Sequence, residues 1–179
     1  MMANELTLGN PLAETAYHEA GHIVVAAATG LPLRPAGITV YEVVNNVTDG
    51  YAVYAEDEPQ REMVLMALLA GVRAQLRQFP NSWIGGAHSD ECKFREIVKL
   101  HFGDQWREMS EKLIPLVDQL LEKHWSAVAG IAERLVEIPW IPVQNAEHPR
   151  ATRKKQLDGD AVAAILQRFW ITSRVCDKS

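Results

Sequence analysis

Five consecutive residues, His18-Glu19-Ala20-Gly21-His22, carry more chemistry than any other stretch of this 179-residue chain. On a helix, positions four apart stack on one face, so two imidazoles at this spacing reach one metal ion at about 2.0–2.1 Å. Glu19 is turned by one position from His18. A carboxylate there can touch a water at the metal without using a ligand position, which is the place of a general base. Two histidines and a glutamate on an otherwise apolar helix are costly to bury without a partner such as a metal. The chemistry expected is zinc-assisted hydrolysis, foremost of peptide bonds.

Catalytic zinc takes three protein ligands and leaves its fourth place to water. From Met63 to Ser89 the chain has no Asp or Glu, and the first carboxylate after that gap is Asp90. It follows Gly85-Gly86, where backbone can approach another element closely. Helix-end electrostatics accounts for Asp90 as well as for Glu91, so His88, Glu91 and His101 stay open as third ligands on spacing alone.

The elements that must position these groups read mostly as helices. Asn10 caps the first, Pro11 sits in its first turn, Gly30 suits a left-handed exit and Pro32 lies beyond. Its small and apolar interior fits a helix packed on several sides. Between Ile38 and Tyr54, two β-branched and aromatic runs flank the turn-rich Asn45, Asn46, Asp49 and Gly50, the pattern of a hairpin. Pro59 opens a second helix that stops before Pro80. Ser89 is read as the cap of a third, ended by Gly103, and Asp104 to Glu137 is helical with Pro115 as a kink or division. Residues 138–156, with Pro139, Pro142, Pro149, Arg150, Arg153, Lys154 and Lys155, read as an extended, solvated basic connection. A last helix from Leu157 to Trp170 is capped by Asp158, and 171–179 is expected to be a loose tail.

A hydrophobic content of 47% fills one core, so a single domain over 1–179 is expected. The net charge of -5 offers no basic surplus for a phosphate backbone, which argues against nucleic acid as a partner. The two cysteines, Cys92 and Cys176, lack the short spacing of zinc knuckles or redox pairs. Met1 to Asn10 lacks a signal-peptide layout, and no apolar run reaches the length of a membrane span, so a soluble, cytoplasmic protein is expected.

The sequence resembles the peptidase domain of the FtsH-type ATP-dependent zinc metalloproteases. Ala16-Tyr17-His18-Glu19-Ala20-Gly21-His22 is similar to that family's zinc-binding helix, and Leu69-Ala70-Gly71-Val72-Arg73-Ala74 to its glycine-arginine-alanine segment. Gly86-Ala87-His88-Ser89-Asp90 is similar to the segment carrying the family's third zinc ligand, and Leu157-Asp158-Gly159-Asp160 to the start of its last helix. The resemblance implies Asp90 as the third ligand beside His18 and His22. It also implies a mainly α, zincin-type metallopeptidase domain with a small β-hairpin near the active site. The chain departs from the family in having no membrane span and no glycine-rich phosphate loop, and Gln75, Leu76 and Arg77 replace family glutamates.

Without an unfoldase of its own, a narrow site reaches flexible or unfolded polypeptides, or substrates brought by a separate unfoldase or adaptor; an oligomer is compatible with this. The hairpin edge Tyr51-Ala52-Val53-Tyr54 is the expected peptide-binding strand. The rival readings are a catalytically silent interaction or regulatory protein that has kept the fold, and a zinc hydrolase of non-peptide amides.

Overall fold

The first helix, α1 (Pro11–Ala28), forms because its ends are specified on both sides. Asn10 Oδ1 accepts hydrogen bonds from the N–H groups of Leu12 and Ala13, Pro11 fills the first turn, and Gly30 takes the left-handed exit at φ 88°. In this computed structural model, residues 10–43, 47–55, 60–84, 87–143 and 148–176 are described. The turn residues Asn45 and Asn46, the helix-opening Pro59, the pair Gly85-Gly86 and both extreme ends of the chain lie outside them.

Every residue of α1 from Ala16 to Ala26 is buried, because the helix packs on β1 (Leu33–Val43) and β2 (Val47–Tyr54) as well as on α2 (Arg61–Gln78) and α5 (Trp125–Glu137). A helix with small residues on every face is the one that can be surrounded in this way. The approach of α2 is closest at Gly21, where a Cβ would stand 2.6 Å from both the Ala70 carbonyl oxygen and the Ala74 Cβ.

The hairpin is present, with β1 and β2 antiparallel and Ile38 opposite Ala52. The expectation of a mainly α domain with only that hairpin is overturned. β4 (Ala151–Leu157) pairs antiparallel with the other edge of β1, and β3 (Ile141–Pro142) adds to β4, giving a four-stranded sheet of order β2-β1-β4-β3. The fold is a mixed α/β arrangement. The basic segment read as a solvated connection is therefore partly sheet. Arg153 faces Glu42 across the ladder and pairs with its carboxylate. Lys155 is buried, and its ammonium donates to the carbonyls of Val136 and Ile138 at the C-terminal end of α5, where helix carbonyls lack internal partners. A lysine held in this way occupies a position where the sequence pattern calls for solvent.

Three smaller expectations are corrected too. Ser89 does not cap α3 (His88–Phe102), whose N-cap is Ala87 and has no side-chain bond. Pro115 sits inside α4 (Trp106–Lys123) without dividing it; the division falls at His124. Pro115 is exposed, so water can take the carbonyl left without its helical N–H partner. The tail is tied down as far as Cys176: Leu33 N–H donates to the Arg174 carbonyl, and Cys176 N–H to the Leu33 carbonyl. α6 (Gly159–Arg168) is capped by Asp158 as expected. No described helix is long and apolar enough to cross a membrane.

A Gly21→Ala substitution gains about 1 kcal/mol of helix propensity but forces α1 and α2 apart. The expected outcome is a net loss of about 1–3 kcal/mol in a denaturant titration. Unchanged stability would mean that the two helices do not meet at this distance.

Candidate metal centre

The crossing of α1 and α2 also builds the site. Gly71 of α2 lies directly under the two histidines, and a Cβ there would stand 2.4 Å from His22 Nε2 and 2.6 Å from His18 Nε2. Bare backbone at this position leaves the nitrogens the space between them. The imidazoles lie on the same side of α1 with ring centroids 4.7 Å apart. From the start of α3, Asp90 Oδ2 reaches both, at 2.9 Å from His18 Nε2 and 3.2 Å from His22 Nε2.

The protons on the rings follow from their other partners. His22 Nδ1 stands 2.7 Å from the Ala67 carbonyl oxygen, which can only accept, so Nδ1 carries hydrogen and donates. His18 Nδ1 faces Gln75 Oε1 at 3.1 Å. The orientation of that amide is fixed at its far end, where Nε2 donates to the Trp83 carbonyl and to Ser82 Oγ. His18 therefore also donates from Nδ1, and in the neutral rings both Nε2 atoms carry bare lone pairs.

Two lone pairs and a carboxylate oxygen thus converge at hydrogen-bond distance with no proton left for them to share. Protonating both rings would supply the protons but place two positive charges side by side in a buried site. A single divalent cation satisfies all three atoms at once. Donors bound to one tetrahedral ion at about 2.0–2.1 Å stand about 3.3 Å apart, close to the separations seen. Two imidazole nitrogens and one carboxylate form a donor set of catalytic zinc, so the residues present fit the metal that the sequence implies.

Burial acts to raise the Asp90 pKa, and only positive charge or donated hydrogen at the two Nε2 positions, from protonated imidazoles or from a cation in their place, outweighs it and holds the carboxyl well below the usual carboxylate range. Glu19 is 5% exposed, and its carboxylate lies within 4.8 Å of ligand atoms on both histidines. Burial pushes its pKa up to about 8, with Asp90 and Asp49 adding to the rise, while His18 and a hydrogen bond from the Ala52 N–H pull the other way. Asp90, not Glu19, contacts both Nε2 atoms. Glu19 is engaged by β2 and stands beside the ligand set.

Above these groups opens a cavity of about 720 Å³. β2 forms one wall, pinned to the start of α1 by Thr48 Oγ1, which is 2.7 Å from Thr15 Oγ1 and donates to the Pro11 carbonyl. Of the four expected peptide-binding residues, Tyr51, Ala52 and Tyr54 line the cavity and Val53 does not. The other candidates for third ligand lie apart from the pair. His88 is exposed beside Cys92, Glu91 pairs with Arg95, and His101 stands edge-on to Phe102. Sequence reading missed the Ala67 carbonyl, Gln75 as the partner of His18, and Trp83, an 82% exposed indole that also lines the cavity. A backbone carbonyl leaves no mark on residue type, and a glutamine within a helix marks no particular partner.

No family model matches this chain, and no curated protein is significantly similar to it.

With the metal removed, folded Glu19 keeps its proton up to about pH 8, whereas the unfolded chain gives it up near 4.5. Between those values the folded state binds the extra proton, so its stability falls as pH rises through the window. Thermal melts in chelator between pH 5 and 8 should fall more steeply for the wild type than for Glu19→Gln. Parallel curves would show that Glu19 does not keep its proton when buried.

Proposed function

We propose that this protein is a zinc metalloendopeptidase that cleaves extended stretches of flexible or unfolded polypeptide. The observation that carries the reading is the convergence of His18 Nε2, His22 Nε2 and Asp90 Oδ2, with both Nδ1 protons already committed elsewhere. The resemblance of the His18–His22 and Asp90 segments to FtsH-type peptidases supports the same ligand set.

When bound, zinc supplies the positive centre that acidifies a water and polarises a peptide carbonyl. His18, His22 and Asp90 hold it, and Gly71 leaves room for it. Glu19 accepts the proton of the attacking water at its carboxylate and delivers it to the leaving nitrogen. The Ala52 N–H keeps that carboxylate turned toward the reaction. Because Ala52 directs its N–H off the free side of β2, its carbonyl faces the same side and can accept from an extended peptide laid along the strand. Tyr51, Ala52 and Tyr54 would form this binding edge. The substrates this reading calls for are chains already loosened, as flexible segments or by a partner that unfolds or delivers them.

Purified protein should contain one equivalent of zinc and digest an unfolded casein-like substrate, with chelator abolishing the digestion. Glu19→Gln should keep the zinc and lose about 10²–10⁴-fold in turnover. His22→Ala should lose both. An active Gln variant would sink the general-base role, and a zinc-loaded wild type with no turnover on any peptide would favour the catalytically silent interaction protein.

A further inference from the structure

Gln75 is 7% exposed and spends its whole amide on three neighbours. Its Oε1 receives the His18 Nδ1 proton at 3.1 Å, and its Nε2 donates to Ser82 Oγ at 3.1 Å and to the Trp83 carbonyl at 3.2 Å. Ser82 and Trp83 line the same cavity as β2, from the connection between α2 and α3. One side chain therefore joins an active-site imidazole to the wall that a substrate meets.

We propose that Gln75 is a positioning residue of the metal centre: its amide fixes the tautomer and ring orientation of His18 and ties that ligand to the Ser82–Trp83 wall. The inference rests on the metallopeptidase reading and deepens it. A group that accepts from the Nδ1–H of a ligand histidine keeps Nε2 free for the metal and raises its donor strength. His22 has the Ala67 carbonyl for this purpose, a backbone atom fixed by the helix. His18 has only a rotatable amide, which would hold nothing unless its other end were anchored. The Trp83 carbonyl is that anchor: it cannot donate, so it admits Nε2 alone and forces Oε1 toward the imidazole.

A neutral amide also sets the strength of the ligand. A carboxylate in the same place would draw the Nδ1 proton harder and make His18 a stronger donor, at the cost of a further negative charge near Glu19 and Asp90. Glutamine orients the ring without adding that charge.

The test compares wild type, Gln75→Leu and Gln75→Glu by two measurements. Long-range ¹⁵N–¹H correlation of the imidazoles in zinc-free protein reads the tautomer of each histidine. Competition with a chromophoric chelator reads zinc affinity. In the wild type, His18 should carry its hydrogen on Nδ1. Gln75→Leu should mix the tautomers of His18 while leaving His22 unchanged, and weaken zinc binding about 10–100-fold. Gln75→Glu loses the bond to the Trp83 carbonyl but presents an accepting oxygen to His18 in either orientation and can still accept from Ser82 Oγ, so it should restore the Nδ1–H tautomer and bind zinc more tightly than Gln75→Leu, a rescue that a merely structural role would not give. Wild-type tautomer and zinc affinity in Gln75→Leu would overturn the proposal. If Gln75→Leu does not fold, Gln75→Glu decides alone, and loss of the Nδ1–H tautomer in it overturns the proposal. A wild type without zinc affinity would remove the metallopeptidase reading, while the tautomer comparison would still decide the role of Gln75.

Discussion

Two imidazole nitrogens and one carboxylate oxygen meet over a glycine, and no distribution of protons satisfies all three as well as one divalent cation does. Much of the rest of the molecule can be understood from that constraint. The nitrogens face inward because their rings are held from behind, one by a helix carbonyl and one by a glutamine. The helix carbonyl is within reach because α1 and α2 touch at Gly21 and Gly71, where side chains would hold them apart. The carboxylate arrives from a third helix whose first turn ends at the site. Three helices are thus fixed relative to one another by requirements that originate in a few atoms.

Glu19 shows the same economy with the opposite sign. A buried carboxylate close to another carboxylate resists ionisation, and the chain keeps it there with little help beyond the Ala52 N–H and the nearby His18. A group that is reluctant to ionise would gain from a cation beside it, so binding of a cation and ionisation of Glu19 would be coupled by electrostatics. The strand that steadies Glu19 is also a wall of the cavity, so a ligand laid along β2 would lie beside that carboxylate.

The helix bearing the histidines was legible because caps, proline and glycine mark both ends, and because the four-residue spacing has a single geometric meaning on a helix. Asp90 was legible from the carboxylate gap before it only as one candidate among several. Its contacts with both histidines distinguish it from His88, Glu91 and His101. Beyond the hairpin, the sheet was not legible. β4 reads as Ala-Thr-Arg-Lys-Lys-Gln-Leu, and neither the cross-strand partner of Arg153 nor the carbonyls that receive Lys155 can be seen from local pattern. Charge within a segment says that it needs partners, and those partners here come from elements distant in sequence. Gln75 was hidden for a related reason, since its meaning depends on three neighbours.

The sheet order has a bearing on how the chain is made. His18, His22, Gly71, Gln75 and Asp90 have all been synthesised once residue 90 is added, while the central strand β1 finds its second neighbour only in residues 151–157. Until those residues emerge, a strand rich in Ile, Val and Tyr has one open hydrogen-bonding edge. The nascent polypeptide therefore carries the whole His18–His22–Asp90 cluster well before it can close its own sheet, and the open edge of β1 is exposed to aggregation between those two events.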